Sequence, residues 1–123
     1  MKAFAGLALA AALSMPGPAS AADDPVGGTW KVTGKIETFA FTLTCRFDRH
    51  GDTFGGVCLD GGSGRRHVID TGRIDGDRVS WTYPFSFLLT QHEVAYNGRL
   101  VDGRLQGNAR AYGYNGVFTG ERP

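Results

Sequence analysis

One stretch of the chain restricts its fold more than any other. From Thr38 to Asp48 the residues alternate without a break, with Phe39, Phe41, Leu43, Cys45 and Phe47 on one face and Thr38, Ala40, Thr42, Thr44, Arg46 and Asp48 on the other. A period of two marks a strand with one buried face. Gly51-Asp52 follows, a dipeptide suited to a two-residue hairpin turn with Gly at the first central position. That turn pairs His50 with Thr53, Arg49 with Phe54, Phe47 with Gly56, and Cys45 with Cys58. Every second pair of such a hairpin is non-hydrogen-bonded, with Cα atoms ~4.5 Å apart. Cys45 and Cys58 fall on one of these, within reach of a disulfide. The alternation and the cysteines therefore agree on one register.

The rest of the chain reads in the same way. Trp30, Val32, Gly34 and Ile36 alternate with Thr29, Lys31, Thr33 and Lys35 in a first strand, ahead of the two strands of the cysteine hairpin. Gly61 to Gly64 form a loop, Arg66 to Ile74 a fourth strand, and Asp75-Gly76-Asp77 a turn into a fifth, Arg78 to Tyr83, with Pro84 at an edge or corner. Thr90 to Val101 make the sixth strand, with Asn97-Gly98 inside it. Asp102-Gly103 turns into the seventh, Arg104 to Tyr112, and Asn115-Gly116 into the last, Val117 to Arg122. No window carries a sustained helical period. An open sheet would leave two edges to protect, and the chain holds no spare segment to cover them. The expected fold is all-β, an eight-stranded antiparallel up-and-down meander closing into a small barrel.

Met1 to Ala22 has the three parts of an export signal: Lys2 at the start, an apolar run from Ala3 to Ser14, and small residues around Ala19 to Ala22 after Pro16 and Pro18. Cleavage is expected after Ala21 or Ala22, leaving residues 23–123 as a single barrel domain. The apolar run is too short for a membrane span, which takes ~20 residues. A periplasmic or secreted location follows, and it suits a Cys45–Cys58 disulfide. A net charge of +1 without a basic stripe argues against nucleic acid as a partner.

Continuing each alternation into the barrel places Phe41, Val68, Trp81, Tyr83 and Tyr96 on the inner face, together with Gly34, Gly56, Gly72, Gly98, Gly107 and Gly120. Eight strands enclose a space that side chains just fill or that holds one small ligand. The glycines suit either outcome, by easing strand coiling or by leaving room for a guest. Three polar residues share that face: Asp70, His92 and Arg122. By the same parity His67 faces outward, and His50 lies at a turn, so the histidines have no metal-ligand spacing. No nucleophile elbow, phosphate loop or acid/base pair suggests an enzyme, and no cofactor is expected. The reading that results is a binding protein for a small, largely apolar ligand. Phe41 and Trp81 supply burial, and Asp70, Tyr83 and Tyr96 supply orientation.

Gly28-Thr29-Trp30 at the start and Arg122 at the end resemble the calycin superfamily, the lipocalin and avidin-type barrels. That resemblance implies that Trp30 plugs one barrel end and that Arg122 packs over its ring, a cation–π contact. The short hairpins are closer to streptavidin than to lipocalins, but the Trp array of biotin binders is missing and biotin is not expected. The loop Gly61 to His67 is similar to the loop that periplasmic inhibitors of C-type lysozyme insert into their target. It implies an alternative function, a protein partner met by Ser63, Arg65 and His67, with His67 where those inhibitors carry Tyr.

Overall fold

A computed structural model describes residues 24–123, and Met1–Ala22, expected to be an export signal, lies outside the described residues. Nine strands follow one another: β1 (Gly28–Ile36), β2 (Phe39–His50), β3 (Thr53–Asp60), β4 (Arg66–Val68), β5 (Thr71–Asp75), β6 (Arg78–Phe87), β7 (Thr90–Val101), β8 (Arg104–Ala111) and β9 (Tyr114–Glu121). All pairings are antiparallel. The sheet runs β2-β1-β9-β8-β7-β6-β5-β3-β4, and β2 also pairs with β3, which closes the ring. Short β4 and β5 together occupy one wall position, so the barrel has eight walls. Among the described residues no helix is long and apolar enough to cross a membrane.

The cysteine hairpin has the expected register throughout, from His50↔Thr53 to Cys45↔Cys58. Gly51 takes φ +67°, the left-handed conformation that this two-residue turn requires at its first position. The Cys45 and Cys58 Cα atoms are 3.9 Å apart and the two residues are disulfide-bonded. A cross-link over so short a loop stabilises by about 3 kcal/mol in the chain-entropy model.

The expected fourth strand is interrupted. Val57 pairs with Val68 but Thr53 pairs with Arg73, so four residues, 69–72, lie opposite three, 54–56. One extra residue is a β-bulge, and it reverses the facing of everything on one side of it. His67 and Ile69 consequently point inward and are buried, whereas Val68 and Asp70 are exposed. This corrects the uninterrupted alternation, which had His67 outside and Val68 and Asp70 inside. Gly56, at φ +132°, stands opposite the bulge, a backbone conformation that a side chain would strain.

A second correction concerns the last hairpin. Its turn is Tyr112-Gly113, both with positive φ (54° and 82°), and Ala111 pairs with Tyr114. Asn115 and Gly116 lie inside β9 instead. There Gly116 faces Ala109 on one side and Ile36 on the other. A Cβ on it would collide with the Lys35 carbonyl oxygen, so this glycine serves close strand approach and not a turn. Asn97-Gly98, by contrast, is strand interior as expected. Pro84 lies one residue past Tyr83, beyond the last β5–β6 pair at Thr71↔Thr82, where its missing N–H breaks no ladder on that side.

One end of the barrel is shut from inside. Trp30 is fully buried and its indole N–H donates to the Val26 carbonyl at 2.7 Å. The Arg122 guanidinium lies 4.1 Å from the Trp30 ring and donates to the Gly27 and Thr29 carbonyls at 2.8 and 3.2 Å. Asp24 completes the plug. Its carboxylate accepts from the Gly27 and Val26 amides at 2.8 and 3.0 Å and pairs with Arg49 at 3.1 Å. Partial burial works against the charged form, yet these hydrogen bonds and Arg49 outweigh it and hold the Asp24 pKa below its ordinary 3.8.

A carboxyl whose pKa is lowered by folding adds stability that is present above its unfolded pKa and is lost as pH falls through the folded one. Asp24→Asn should therefore cost about 1 kcal/mol in urea unfolding at pH 7. The gap between variant and parent should close as pH is taken well below 3.8. A gap that stays constant down to about pH 2 would contradict this account of the plug.

Candidate functional site

The two halves of the barrel interior differ. The half next to the plug is filled by aromatic rings. Trp81 has Phe47 4.9 Å and Phe118 5.4 Å away, both edge-on, and Phe54 packs on Phe47 at 4.4 Å. Several inward glycines are closely packed. A Cβ on Gly98 would run into the Phe118 ring, one on Gly72 into Phe54, and one on Gly34 into the Val117 carbonyl oxygen and the Phe41 ring. Of the two roles open to these residues, close packing is therefore the one observed at all three.

The other half is a cavity of about 530 Å³. Its walls come from Phe41 and Leu43 of β2, Tyr83 and Phe85 of β6, and Val94 and Tyr96 of β7. Around the rim stand Glu37 and Phe39 from the first hairpin, Asp60 at the end of β3, and Tyr112 and Tyr114 from the last hairpin. Phe39 lies on the inner face by alternation but is 70% exposed, because the barrel is open at this end.

Within the cavity the Tyr83 and Tyr96 hydroxyls are hydrogen-bonded to each other at 2.7 Å. Burial is the main cause that raises both phenols. Tyr83 is pushed up to about 12, with its bond to Tyr96 working the other way and Asp60 adding to the rise. Tyr96 is raised further by burial and by Tyr83. Both are neutral donors at any physiological pH. His67 stacks on Tyr83 with ring centroids 4.6 Å apart and planes 8° from parallel. Burial lowers its pKa against the opposing pull of Asp60, so the imidazole is neutral at pH 7.

The residues expected in the lumen divide as follows. Phe41, Tyr83 and Tyr96 line the cavity. Trp81 lies one ring deeper, stacked on Tyr96 at 4.6 Å in the filled half, and does not line it. Asp70 is exposed on the outer surface, turned there by the bulge. His92 lies at the rim with its ring 4.2 Å from Tyr112. Asp60, His67 and Phe85 were not expected in the site. Phe85 continues the alternation Val79, Trp81, Tyr83 across Pro84, so its signal was present in the sequence. His67 depends on a bulge that leaves no mark in the local pattern.

The loop from Gly61 to Arg65 is folded on itself. The Asp60 carboxylate accepts from the Gly62 and Ser63 amides at 2.8 and 3.2 Å, and the Ser63 hydroxyl accepts from the Arg65 amide at 3.1 Å. The Arg65 guanidinium lies over the Phe85 ring at 5.2 Å, and His67 is inside the barrel. Two of the three loop residues are thus engaged by the barrel itself. Among the described residues no group of three or more His, Cys, Asp and Glu side chains is placed to hold a metal ion.

The state of the two buried phenols can be read from tyrosinate absorbance in the near ultraviolet. Of the four tyrosines, Tyr83 should ionise only near pH 12 and Tyr96 later still. Tyr83→Phe should remove the step near pH 12. Full tyrosinate absorbance in the folded protein about one pH unit above the ordinary phenol value of ~10 would contradict the buried pair.

No protein-family model and no curated protein matches the chain. Among solved structures it is similar to the crystal structure of a mutant of the fluorescent protein UnaG. The identity is 14%, the TM-score 0.49, and the match covers 81% of this chain and 97% of that one. The architecture rests on the chain's own geometry: it is a closed antiparallel barrel, plugged at one end by Trp30 under Arg122 and open at the other.

Proposed function

We propose that this protein is an exported carrier or receptor for one small, largely apolar molecule, held in the open half of the barrel. The observation that carries the reading is the unfilled cavity of about 530 Å³ above a fully packed aromatic floor. Cavities of this size, mostly apolar with a few convergent polar groups, are the usual form of small-molecule sites. Phe41 and Phe85 supply apolar wall, and the Tyr83–Tyr96 hydroxyls supply orientation. Export to the periplasm or beyond is supported by the pattern of Met1–Ala22 and by the Cys45–Cys58 bond, since disulfides persist in oxidising compartments. A protein partner at Ser63, Arg65 and His67 has less behind it, because Arg65 and His67 both turn to the barrel wall.

The test is native mass spectrometry of the oxidised protein, with organic extraction of anything it releases. A stoichiometric small-molecule adduct that disappears on denaturation is the expected result. Ala111 lines the cavity and is nearly buried, so Ala111→Trp should fill the space and abolish the adduct while leaving a folded barrel. Ser63→Trp on the exposed loop should leave the adduct in place. The opposite ranking, with Ser63→Trp damaging and Ala111→Trp silent, would overturn the reading.

A further inference from the structure

The polar atoms of the cavity select among apolar ligands. Two hydroxyls joined by one hydrogen bond carry two protons, and only one of them lies between the oxygens. Whichever of Tyr83 and Tyr96 donates, the other keeps a proton free. Among the described residues neither hydroxyl has a second hydrogen-bond partner, and both belong to buried side chains. A buried donor without an acceptor is costly. The cavity is thus short of one acceptor, and a guest can bring it.

The charged group that acts on both hydroxyls is Asp60. Among the described residues, Asp60 and Glu37 are the only groups lining the cavity that are charged at pH 7, since His67 is held neutral by burial. No Lys or Arg of the described residues lines it, and Arg65 is placed over the Phe85 ring. The Asp60 carboxylate is close enough to act on Tyr83, Tyr96 and His67 alike. A carboxylate guest beside the two hydroxyls would meet the Asp60 field in a site of low dielectric, with Arg65 held over the Phe85 ring and acting on His67 and Tyr112 instead.

We infer that the ligand is a neutral apolar molecule bearing a carbonyl-type acceptor, which takes the free proton of the Tyr83–Tyr96 pair, and that carboxylate-headed lipophiles are refused by Asp60. This rests on the lumen being a ligand site, and it names the chemical class that the site admits. The pair acts as one donor with two alternative sources. Loss of either hydroxyl alone leaves the other able to donate, so only loss of both removes the selection.

Three probes on one ring skeleton separate the contributions: fluorene has no acceptor, fluorenone adds a carbonyl, and fluorene carboxylate adds a charge. Equilibrium dialysis against the intact oxidised protein at pH 7 should rank fluorenone about tenfold tighter than fluorene, the worth of one net hydrogen bond. The carboxylate should bind weakest. Tyr83→Phe and Tyr96→Phe should each keep most of the fluorenone preference, and the double variant should bind fluorenone and fluorene alike. Asp60→Asn retains an oxygen for the Gly62 and Ser63 amides and should raise carboxylate binding severalfold with little change for fluorenone.

Equal binding of fluorene and fluorenone by the parent protein, which needs no variant, would overturn the donor assignment while leaving the lumen reading intact. Tightest binding by the carboxylate would overturn the role of Asp60. Failure of all three probes to bind would overturn the ligand class. The presence or absence of a native adduct would then decide separately whether the lumen holds a ligand at all.

Discussion

Closure of the sheet into eight walls is the constraint on which everything else depends. Once β2 pairs with both β1 and β3, the width of the interior is set, and side chains must either fill it or leave a hole. Here large rings and glycines meet across the same space. Phe118 occupies volume that a Cβ at Gly98 would have taken, Phe41 does the same at Gly34, and Phe54 at Gly72. Exchanging any of these glycines for a larger residue would act as overpacking and not as a surface change. The filled half is thus a jigsaw of unusual size contrast, and the open half begins where the large rings from opposite walls stop meeting.

The plug and the mouth divide a sealed end from an open one. At one end the first residues of the domain, the first strand and the last strand are tied together through Trp30, Arg122 and Asp24. At the other end the walls separate. β4 hydrogen-bonds to β3, whereas β6 beyond Thr82 is left without a ladder on that side. His67, Tyr83 and Phe85 pack across this seam, so stacked rings stand where backbone hydrogen bonds hold the rest of the wall. Local stability is expected to be lowest there, which suits an entrance.

Most of the scaffold was legible in the sequence, for reasons that particular residues make plain. The hairpin register was over-determined, because alternation, the Gly51 turn and two cysteines had to agree. Trp30 and Arg122 were legible only through family resemblance, since nothing local brings residues so far apart in sequence together. The site was less legible. A bulge adds one residue without altering composition, yet it exchanged Asp70 for His67 on the inner face. Gly116 shows the complementary difficulty: Asn-Gly is a strong turn signal, but the tight approach of Lys35 uses the same residue for another purpose. Which half of a barrel is hollow depends on how deep each ring reaches, and a period of two carries no information about depth.

The stacking of Trp81 on Tyr96 has an optical consequence. The protein has two indoles, and they occupy opposite situations: Trp30 is sealed under Arg122 at the plug, while Trp81 lies directly behind the cavity floor. Any occupant that touches Tyr96 changes the surroundings of one chromophore and leaves the other as an internal reference. The barrel is therefore built as its own emission gauge, in which the state of the lumen is written in the light from a single buried ring.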